Sequence, residues 1–283
     1  MSLNYIHWNP DPEIVNVFGI SIRYYGLLFV SGLILCVYIL GWIFKKENIP
    51  ASNLEKLSVY GMIGILAGAR LGHCLFYEPS YFLAHPLEMI LPVKFLEGGG
   101  IKFTGYQGLA SHGGALGLII ALAFYSRKTK HRILDIIDLI AVVAALGGAF
   151  IRLANLMNSE IIGMPSHVSW AFIFERVDNV PRHPAQLYEA LAYFLIFGVT
   201  FFLYKTKRKF LKNGAFFGIA LVLIFTARFF IEFVKERQVA FEEGMKLDMG
   251  QLLSIPYILV GIGFIIYGIQ KTQKSIAAKL ADI

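Results

Sequence analysis

Apolar runs long enough to cross a lipid bilayer recur along the whole chain, and this feature limits its possible folds. A helix needs roughly 20 apolar residues to span a hydrocarbon core. Hydrophobic residues make up 57% of the 283 residues and charged residues 16%, whereas about 25% are charged in an ordinary soluble domain. The sequence therefore predicts an integral membrane protein, with residues 1–283 forming one polytopic membrane domain.

These runs predict an all-α fold with seven transmembrane helices. Their approximate bounds are Ile20–Phe44, Leu57–Tyr77, Tyr106–Tyr125, Ile133–Leu156, Pro184–Tyr204, Gly214–Phe233 and Met249–Ile269. Two longer connections, residues 78–105 and 157–183, mix aromatic residues with Pro and Gly. We expect these two connections to form a small extracytoplasmic cap.

Positive charges predict the orientation of the helices. The connections after helices 1, 3 and 5 and the C-terminal tail carry about twice as many Lys and Arg residues as the other connections. Such an excess is typical of short cytoplasmic loops, so we expect the N-terminus outside and the C-terminus in the cytoplasm. The net charge of +7 follows this pattern and forms no continuous basic stripe, which argues against a nucleic-acid partner.

Ionisable residues within the predicted helices fall mainly at one level of the membrane. A charged side chain at the bilayer centre costs at least ~2.5–3.5 kcal/mol on insertion scales, and such residues usually mark a functional cavity. Six helices contribute polar groups to the outer half, among them Arg70, His112, Arg152 and Arg228. In the inner half, Asp138 lies near the start of helix 4, where a carboxylate favours the N-terminal dipole of that helix.

Buried arginines without an equal number of nearby acids indicate an anion-binding site. Arg presents a planar fork that suits phosphate oxygens, and in a membrane the expected anion is a phospholipid headgroup. A site confined to one level favours an enzyme that acts on a lipid. A lipid flippase or a small-molecule transporter is the alternative, although it predicts a polar path through the full thickness of the membrane.

The sequence predicts neither a metal site nor a cofactor. The histidines lack zinc-ligand spacing such as H-E-x-x-H, and the sequence contains no phosphate loop of the nucleotide-binding type. Cys36 and Cys74 lie in different apolar runs, which supports neither a disulfide nor a thiolate metal site. Glycines four residues apart predict close helix packing, and they are Gly64, Gly68 and Gly72 on helix 2 and Gly113 and Gly117 on helix 3.

Short motifs follow one another along nearly the whole chain. A Gly-Arg segment followed by two Asn, a Glu and a closing Gly occupies residues 147–163, with the anchors Arg152, Asn155, Asn158, Glu160 and Gly163. Further blocks are Tyr24-Tyr25-Gly26, His112-Gly113-Gly114, His183-Pro184-Ala185-Gln186-Leu187-Tyr188-Glu189, and Arg228 with Glu232. In this order and spacing they resemble the prolipoprotein diacylglyceryl transferases of bacteria.

Some positions depart from the pattern of that family. Ala154 and Ser159 replace glycines of the signature, and Ile224 stands where a tyrosine is expected one turn before Arg228. The stretch Lys102–Ala110 is longer than usual. These departures concern the lining of the cavity more than the reaction.

The resemblance implies transfer of the diacylglyceryl group from phosphatidylglycerol to the lipobox cysteine thiol of a preprolipoprotein signal peptide. The products are a thioether and glycerol phosphate, and the step is the first in lipoprotein maturation. The resemblance also implies a multi-pass protein of the bacterial inner membrane with its active site toward the outer leaflet. Its partners are membrane lipid, phosphatidylglycerol and the preprolipoprotein, with no cofactor and no metal.

The same resemblance implies roles for individual residues. Arg152 and Arg228 hold and stabilise the phosphate, and His112 is a candidate general base for the thiol. The lipid headgroup site further takes in Tyr25, Asn155, Asn158, Glu160 and Gly163. Supporting positions are Arg70, His183, Gln186, Tyr188, Glu189 and Glu232.

Each role has a structural alternative. Arg152 and Arg228 can pair with Glu160 or Glu232, and His112 can be a hydrogen-bonded packing residue. The signature residues can form a polar helix end with a turn. Another phospholipid-dependent transferase, with a different acceptor, would use the same residues.

Overall fold

The computed structural model describes residues 5–17, 20–96, 99–103, 108, 110–237 and 244–281. Within these ranges most of the chain is helical, because a helix satisfies all backbone hydrogen bonds inside an apolar run. The helices are α1 (Tyr24–Lys46), α2 (Ala51–Phe76), α3 (Pro79–Ala84), α4 (Pro86–Ile90), α5 (Ser111–Thr129), α6 (Ile133–Met157), α7 (Ala185–Lys207), α8 (Ala215–Ile231) and α9 (Met249–Ala281).

Six helices of the described ranges are long and apolar enough to cross a membrane. They are α1, α2, α6, α7, α8 with the short 3₁₀ turn Glu232–Val234 that follows it, and α9. The predicted third span forms a helix, α5, but it is short, opens with Ser111 and His112, and carries Arg127 and Lys128 in its last turn. A multi-pass helical membrane protein is thus confirmed, while a seventh span stays a prediction.

Four helix boundaries predicted from the sequence are wrong. Helix α2 begins at Ala51, six residues before the predicted Leu57. Ile20–Arg23 forms strand β3 and not the start of helix 1, because its alternating Ile-Ser-Ile-Arg pattern pairs antiparallel with strand β2 (Glu13–Val17). Helix α5 begins at Ser111, after the predicted start; Tyr106, where we expected it to begin, lies outside the described residues. Helix α9 continues to Ala281, twelve residues beyond the predicted Ile269.

The described contacts group the chain into two compact units. The first unit comprises Met1–Ile43 and Leu134–Ile283, and the second comprises Phe44–Ile133. The first contains most of α1, all of α6 except its first residue, and α7 to α9, whereas the second contains α2 to α5.

A small sheet in the first unit joins the N-terminal segment to the connection between α6 and α7. Strand β1 (Ile6–Trp8) runs parallel to β6 (Phe172–Phe174), and β6 pairs antiparallel with β7 (Pro181–Arg182). The Trp8 indole donates a hydrogen bond to the Leu156 carbonyl at 2.9 Å. The sheet is therefore fastened to the C-terminal end of α6, where the signature begins to turn.

Asp138 stabilises the start of α8 and not, as the sequence predicted, the start of its own helix. Its carboxylate is fully buried and accepts hydrogen bonds from the Gly214 amide at 2.8 Å and the Phe217 amide at 3.0 Å. Gly214 has φ +95°, a conformation that glycine adopts without steric cost. A side chain from α6 thus caps α8 and fixes these helices against each other.

In the second unit, α2 and α5 pack in close contact, as their glycine spacing predicted. A Cβ on Gly68 would lie 2.3 Å from the Gly113 carbonyl oxygen, and one on Gly117 would lie 2.0 Å from that of Gly64. Such distances exclude any side chain, so the glycines set the helix separation. The helices α3 and α4 follow, together with the hairpin of β4 (Val93–Phe95) and β5 (Ile101–Phe103).

Candidate functional site

The C-terminal end of α6 places Arg152 against α7. The Arg152 Nε lies 2.7 Å from Glu189 Oε2, and the side chains are 14% and 0% exposed. Arg152 also lies 3.4 Å from the Asn155 amide oxygen, three residues along the same helix face. Both residues of this ion pair were among the predicted site residues, whereas the structural alternative that pairs Arg152 with Glu160 is wrong.

Glu160 holds the signature turn instead. Its carboxylate accepts hydrogen bonds from the side-chain amides of Asn155 at 3.2 Å and Asn158 at 2.9 Å, and its backbone oxygen accepts one from Gln186. Both Asn155 and Gln186 are buried. The two asparagines, the glutamate and the glutamine therefore form one hydrogen-bonded cluster beside Arg152.

The turn that follows α6 holds two residues in the left-handed region, Ser159 with φ +55° and Ile161 with φ +58°. A β-branched residue such as Ile161 rarely adopts this conformation, which costs of order 1–3 kcal/mol. Gly163 is clamped on both sides, because a Cβ there would lie 2.4 Å from the His183 carbonyl oxygen and 2.7 Å from that of Val234. The signature needs glycine at this position for close backbone packing.

The start of α7 carries the supporting residues predicted there. The His183 Nδ1 lies 3.1 Å from the Tyr188 hydroxyl, which accepts a 2.7 Å hydrogen bond from the Trp170 indole. Burial lowers the pKa of His183 below its usual value. We had predicted Pro184 as the first helical residue of α7. It is instead the N-cap residue, and the helix begins at Ala185.

Arg228, in the last turn of α8, has no ion-pair partner among the described residues. It is partly buried, and its predicted neighbour Glu232 pairs with Lys235 at 3.2 Å and packs against Gly250. The hypothesis that Glu232 neutralises Arg228 is therefore wrong. A cation inside a membrane-spanning segment without a carboxylate partner is costly.

Sequence reasoning missed Tyr193, which lies on α7 one turn after Glu189. Its side chain is 6% exposed, and its ring lies against the α6 backbone at Gly148, one turn before Arg152. Ile224, where we expected a tyrosine, packs against the core cluster that contains Tyr193. The spacing from Glu189 was the available signal, since residues four apart share a helix face.

The second unit holds the remaining predicted residues Arg70 and His112. Arg70 donates to the backbone oxygens of Glu88 at 2.6 Å and Met89 at 3.2 Å, and so anchors α4 to α2. His112 is exposed in the first turn of α5. Arg70 thus has a supporting role within its own unit, and the base role of His112 stays a prediction.

Glu88 and His73 are two further polar side chains of the second unit with described partners. Glu88 accepts hydrogen bonds from the Tyr81 hydroxyl at 2.6 Å and the Phe95 amide at 2.8 Å, which hold the pKa of its carboxyl below the usual value. His73 lies 3.4 Å from Glu78. In the described parts of the chain, no three His, Cys, Asp or Glu side chains group closely enough to bind a metal ion.

A model of the family described as prolipoprotein diacylglyceryl transferase matches residues 12–267. The chain belongs to this family. It is 59% identical over 270 residues to a phosphatidylglycerol–prolipoprotein diacylglyceryl transferase of Bacteroides fragilis, with 95% of this chain and 98% of that protein covered. Proteins of the same name from Chloroherpeton thalassium and Porphyromonas gingivalis are 43% and 42% identical, each over 95% of this chain and 97% and 98% of their own length.

Family membership fits the arrangement of the signature residues. The anchors Arg152, Asn155, Asn158, Glu160 and Gly163 all lie in the first unit, at the end of α6 and in the turn after it. Tyr25 lies in the first turn of α1, partly buried. Family membership and the described contacts both favour the region around Arg152 and Arg228 as the candidate site.

Proposed function

We propose that this chain transfers the diacylglyceryl group of phosphatidylglycerol to the lipobox cysteine thiol of a preprolipoprotein. The products are a thioether-linked lipid and glycerol phosphate. Nearly full-length relatives that carry the name of this activity support the reaction. The roles of individual residues are supported by the charges and contacts of the first unit.

The observation that carries the site assignment is the difference in ion pairing between Arg152 and Arg228. Glu189 neutralises Arg152 through the 2.7 Å ion pair, whereas no described carboxylate pairs with Arg228. A partly buried guanidinium is strongly stabilised by a phosphate, whose oxygens match its planar fork. We therefore assign the phosphodiester of the lipid to Arg228 and Arg152.

The reaction requires stabilisation of the charge on the leaving phosphate oxygen and removal of the proton from the cysteine thiol. A bond forms between the cysteine sulfur and the lipid glycerol carbon while the bond from that carbon to the phosphate oxygen breaks. The electron pair stays on the phosphate oxygen, where the arginines stabilise the added charge. A neutral imidazole accepts a thiol proton near pH 7, and we assign this step to His112. No electrons leave or enter, so the proposal invokes no cofactor.

The signature turn shapes the headgroup site in this proposal. Asn155, Asn158 and Glu160 form a rigid polar cluster next to Arg152, and Gly163 closes the turn. Tyr25 contributes a hydroxyl to the headgroup. His183, Gln186, Tyr188 and Glu189 hold the start of α7 in place, and they support the site without touching the reacting atoms.

The location follows from the reaction and the charge pattern. We propose seven spans in the bacterial inner membrane, with the N-terminus outside and the active site toward the outer leaflet. In this orientation the basic clusters after α1, α5 and α7 lie in the cytoplasm. The connections over residues 78–105 and 157–183 then form the outer cap.

Mass spectrometry of a lipobox peptide tests the proposal. Purified protein in phosphatidylglycerol-containing micelles should add one diacylglyceryl group to the cysteine, and a peptide with Ser in place of that cysteine should stay unmodified. Folded protein that forms no adduct would reject the transferase function. Lipid translocation in vesicles without any adduct would favour the flippase.

A further inference from the structure

Buried oxygen acceptors without a hydrogen-bond donor gather in one part of the first unit. Within the described ranges, six buried side-chain oxygens lack a hydrogen-bond partner, and five of them lie in the turn after α6 and at the start of α7. They are the Asn158 Oδ1, the Ser159 Oγ, the Gln186 Oε1 and both carboxylate oxygens of Glu189. Such atoms are few in folded proteins, so five in one place indicate a common cause.

Gln186 and Glu189 are the most enclosed of these residues, since both side chains are 0% exposed. The Glu189 Oε2 lies 2.7 Å from the Arg152 Nε, and this ion pair balances the charge. Neither carboxylate oxygen receives a hydrogen bond from a described group. The Gln186 Nε2 donates to the Glu160 carbonyl oxygen, which leaves the Gln186 Oε1 without a donor. Buried oxygens of this kind are unfavourable until a donor reaches them.

These acceptors border the arginine site. Gln186 and Glu189 are three residues apart on α7 and share a helix face. Glu189 contacts Arg152 directly, and Gln186 bonds to Glu160. Asn155 then joins Glu160 to Arg152. The contacts form a closed ring, which places the acceptors beside the guanidinium assigned to the phosphate.

The ring opens to the outside at two of its members, because Arg152 is 14% exposed and Glu160 is exposed. A ligand bound at Arg152 reaches the neighbouring acceptors past these side chains, with the rotamer changes that are common on binding. An anion alone satisfies the guanidinium but brings no donor for the oxygens. Hydroxyl groups are such donors. The occupant that satisfies both parts carries a phosphate and hydroxyl groups in one molecule.

We propose that Gln186 and Glu189 form a hydroxyl-binding subsite for the glycerol headgroup of the donor lipid. The inference rests on the proposed transferase function and names what sets its choice of lipid. The phosphate lies at Arg152 and Arg228, and the two headgroup hydroxyls donate hydrogen bonds to the Gln186 Oε1 and to a Glu189 oxygen. Neither hydroxyl takes part in bond breaking, and the headgroup leaves with the phosphate as glycerol phosphate. The subsite therefore acts in recognition.

Two donor lipids with the same acyl chains test this subsite. Phosphatidylglycerol carries both hydroxyls, whereas the headgroup of phosphatidylpropanol has the same three carbons without them. Transfer to a lipobox peptide by the full chain in micelles, followed by mass spectrometry, gives kcat/KM for each lipid. Wild type should prefer phosphatidylglycerol at least about 20-fold, because the analogue leaves buried acceptors unpaired.

Gln186→Met and Thr200→Val separate recognition from packing. Both side chains are 0% exposed on α7, and each donates a hydrogen bond to a backbone oxygen. Of the two, only Gln186 also has an acceptor without a donor. Gln186→Met should lower the preference for phosphatidylglycerol at least about fivefold, with phosphatidylpropanol use within about threefold of wild type. Thr200→Val should keep the preference within about twofold, since lost packing affects both lipids alike.

Two results would overturn the inference. One is a wild-type preference smaller than about 20-fold, and the other is a folded Gln186→Met variant whose preference falls less than about fivefold. If that variant does not fold, the wild-type comparison decides alone. Transfer from either lipid upholds the proposed function whatever the preference. If folded wild type forms no adduct with either lipid, the proposed function and this inference fall together.

Discussion

Helix α6 holds one charged, largely buried side chain near each end, and these two residues, Asp138 and Arg152, lie about 21 Å apart along the helix axis. Near the N-terminal end, Asp138 accepts two backbone hydrogen bonds and lies 3.9 Å from Arg208. Near the C-terminal end, Arg152 pairs with Glu189, but the same neighbourhood includes Arg228 without an ion-pair partner in the described chain. One end holds a charge whose partners are complete, and the other holds an excess of positive charge.

This difference indicates that Asp138 stabilises the fold, whereas the charges near the C-terminal end of α6 are suited to binding a ligand. A buried carboxylate with two amide donors stabilises a helix start and needs nothing further. A buried guanidinium without a counter-charge is unfavourable unless a ligand completes it. The left-handed Ile161 in the adjacent turn adds local strain at the same end, which is typical of sites where function overrides local preference.

Arg152→Ala should give the largest effect, because it removes a phosphate contact and leaves the carboxylate of Glu189 buried without its ion pair. Transfer should fall below detection, and the free energy of unfolding should drop by about 3–5 kcal/mol. Kinetics and chemical unfolding in detergent measure the two losses. The double variant Arg152→Gln with Glu189→Gln should recover much of the stability and none of the transfer; recovered transfer would contradict the phosphate role.

Arg228→Ala should abolish most transfer without loss of stability. Since no described carboxylate depends on Arg228, the unfolding temperature should stay within about 2 °C, whereas kcat/KM should fall at least ~10³-fold. The exposed Arg23 of β3 offers a matched control, and Arg23→Ala should keep activity within about twofold. A clear fall in unfolding temperature on Arg228→Ala would instead show that Arg228 stabilises the fold, and it would contradict the contrast drawn with Asp138.

Asp138→Ala should show the opposite pattern. Loss of the cap on α8 should lower the free energy of unfolding by about 1–2 kcal/mol, while the kcat of the folded fraction stays within about twofold. Thermal unfolding and transfer measured on the same preparation test both parts. A large loss of kcat at unchanged stability would place Asp138 in the functional machinery.

Asp178→Asn should give the smallest effect, and this effect should disappear at low pH. The Arg182 guanidinium donates hydrogen bonds to Asp178 and holds the pKa of its carboxyl below the usual value. A depressed pKa contributes stability that is present above the unfolded-state value of about 3.9 and is lost as the pH falls through the folded-state value. Asp178→Asn should therefore cost about 0.5–1 kcal/mol at pH 7, and this cost should shrink steadily as the pH falls below about 3.9. A difference that stays constant with pH would contradict this account.

Several residues that cluster at the end of α6 and in the turn after it could be named from the sequence. The order and spacing of the motifs named Arg152, Asn155, Asn158, Glu160 and Gly163 before their contacts were known. Buried charge in an apolar run is rare enough to point to a site by itself. The pairing of these charges was not predictable, because Arg152 reaches Glu189 on another helix and not Glu160 on its own connection.

The sequence by itself determined that this chain is a helical membrane protein, since apolar runs of spanning length leave the backbone few alternatives. It also determined the family, because several short motifs recur in order. Only the tertiary structure decided which charged side chains pair with each other. Glu232 forms an ion pair with Lys235, and Asp138 caps α8. Ion pairs and caps between helices depend on distances in space, which residue spacing along one helix does not encode.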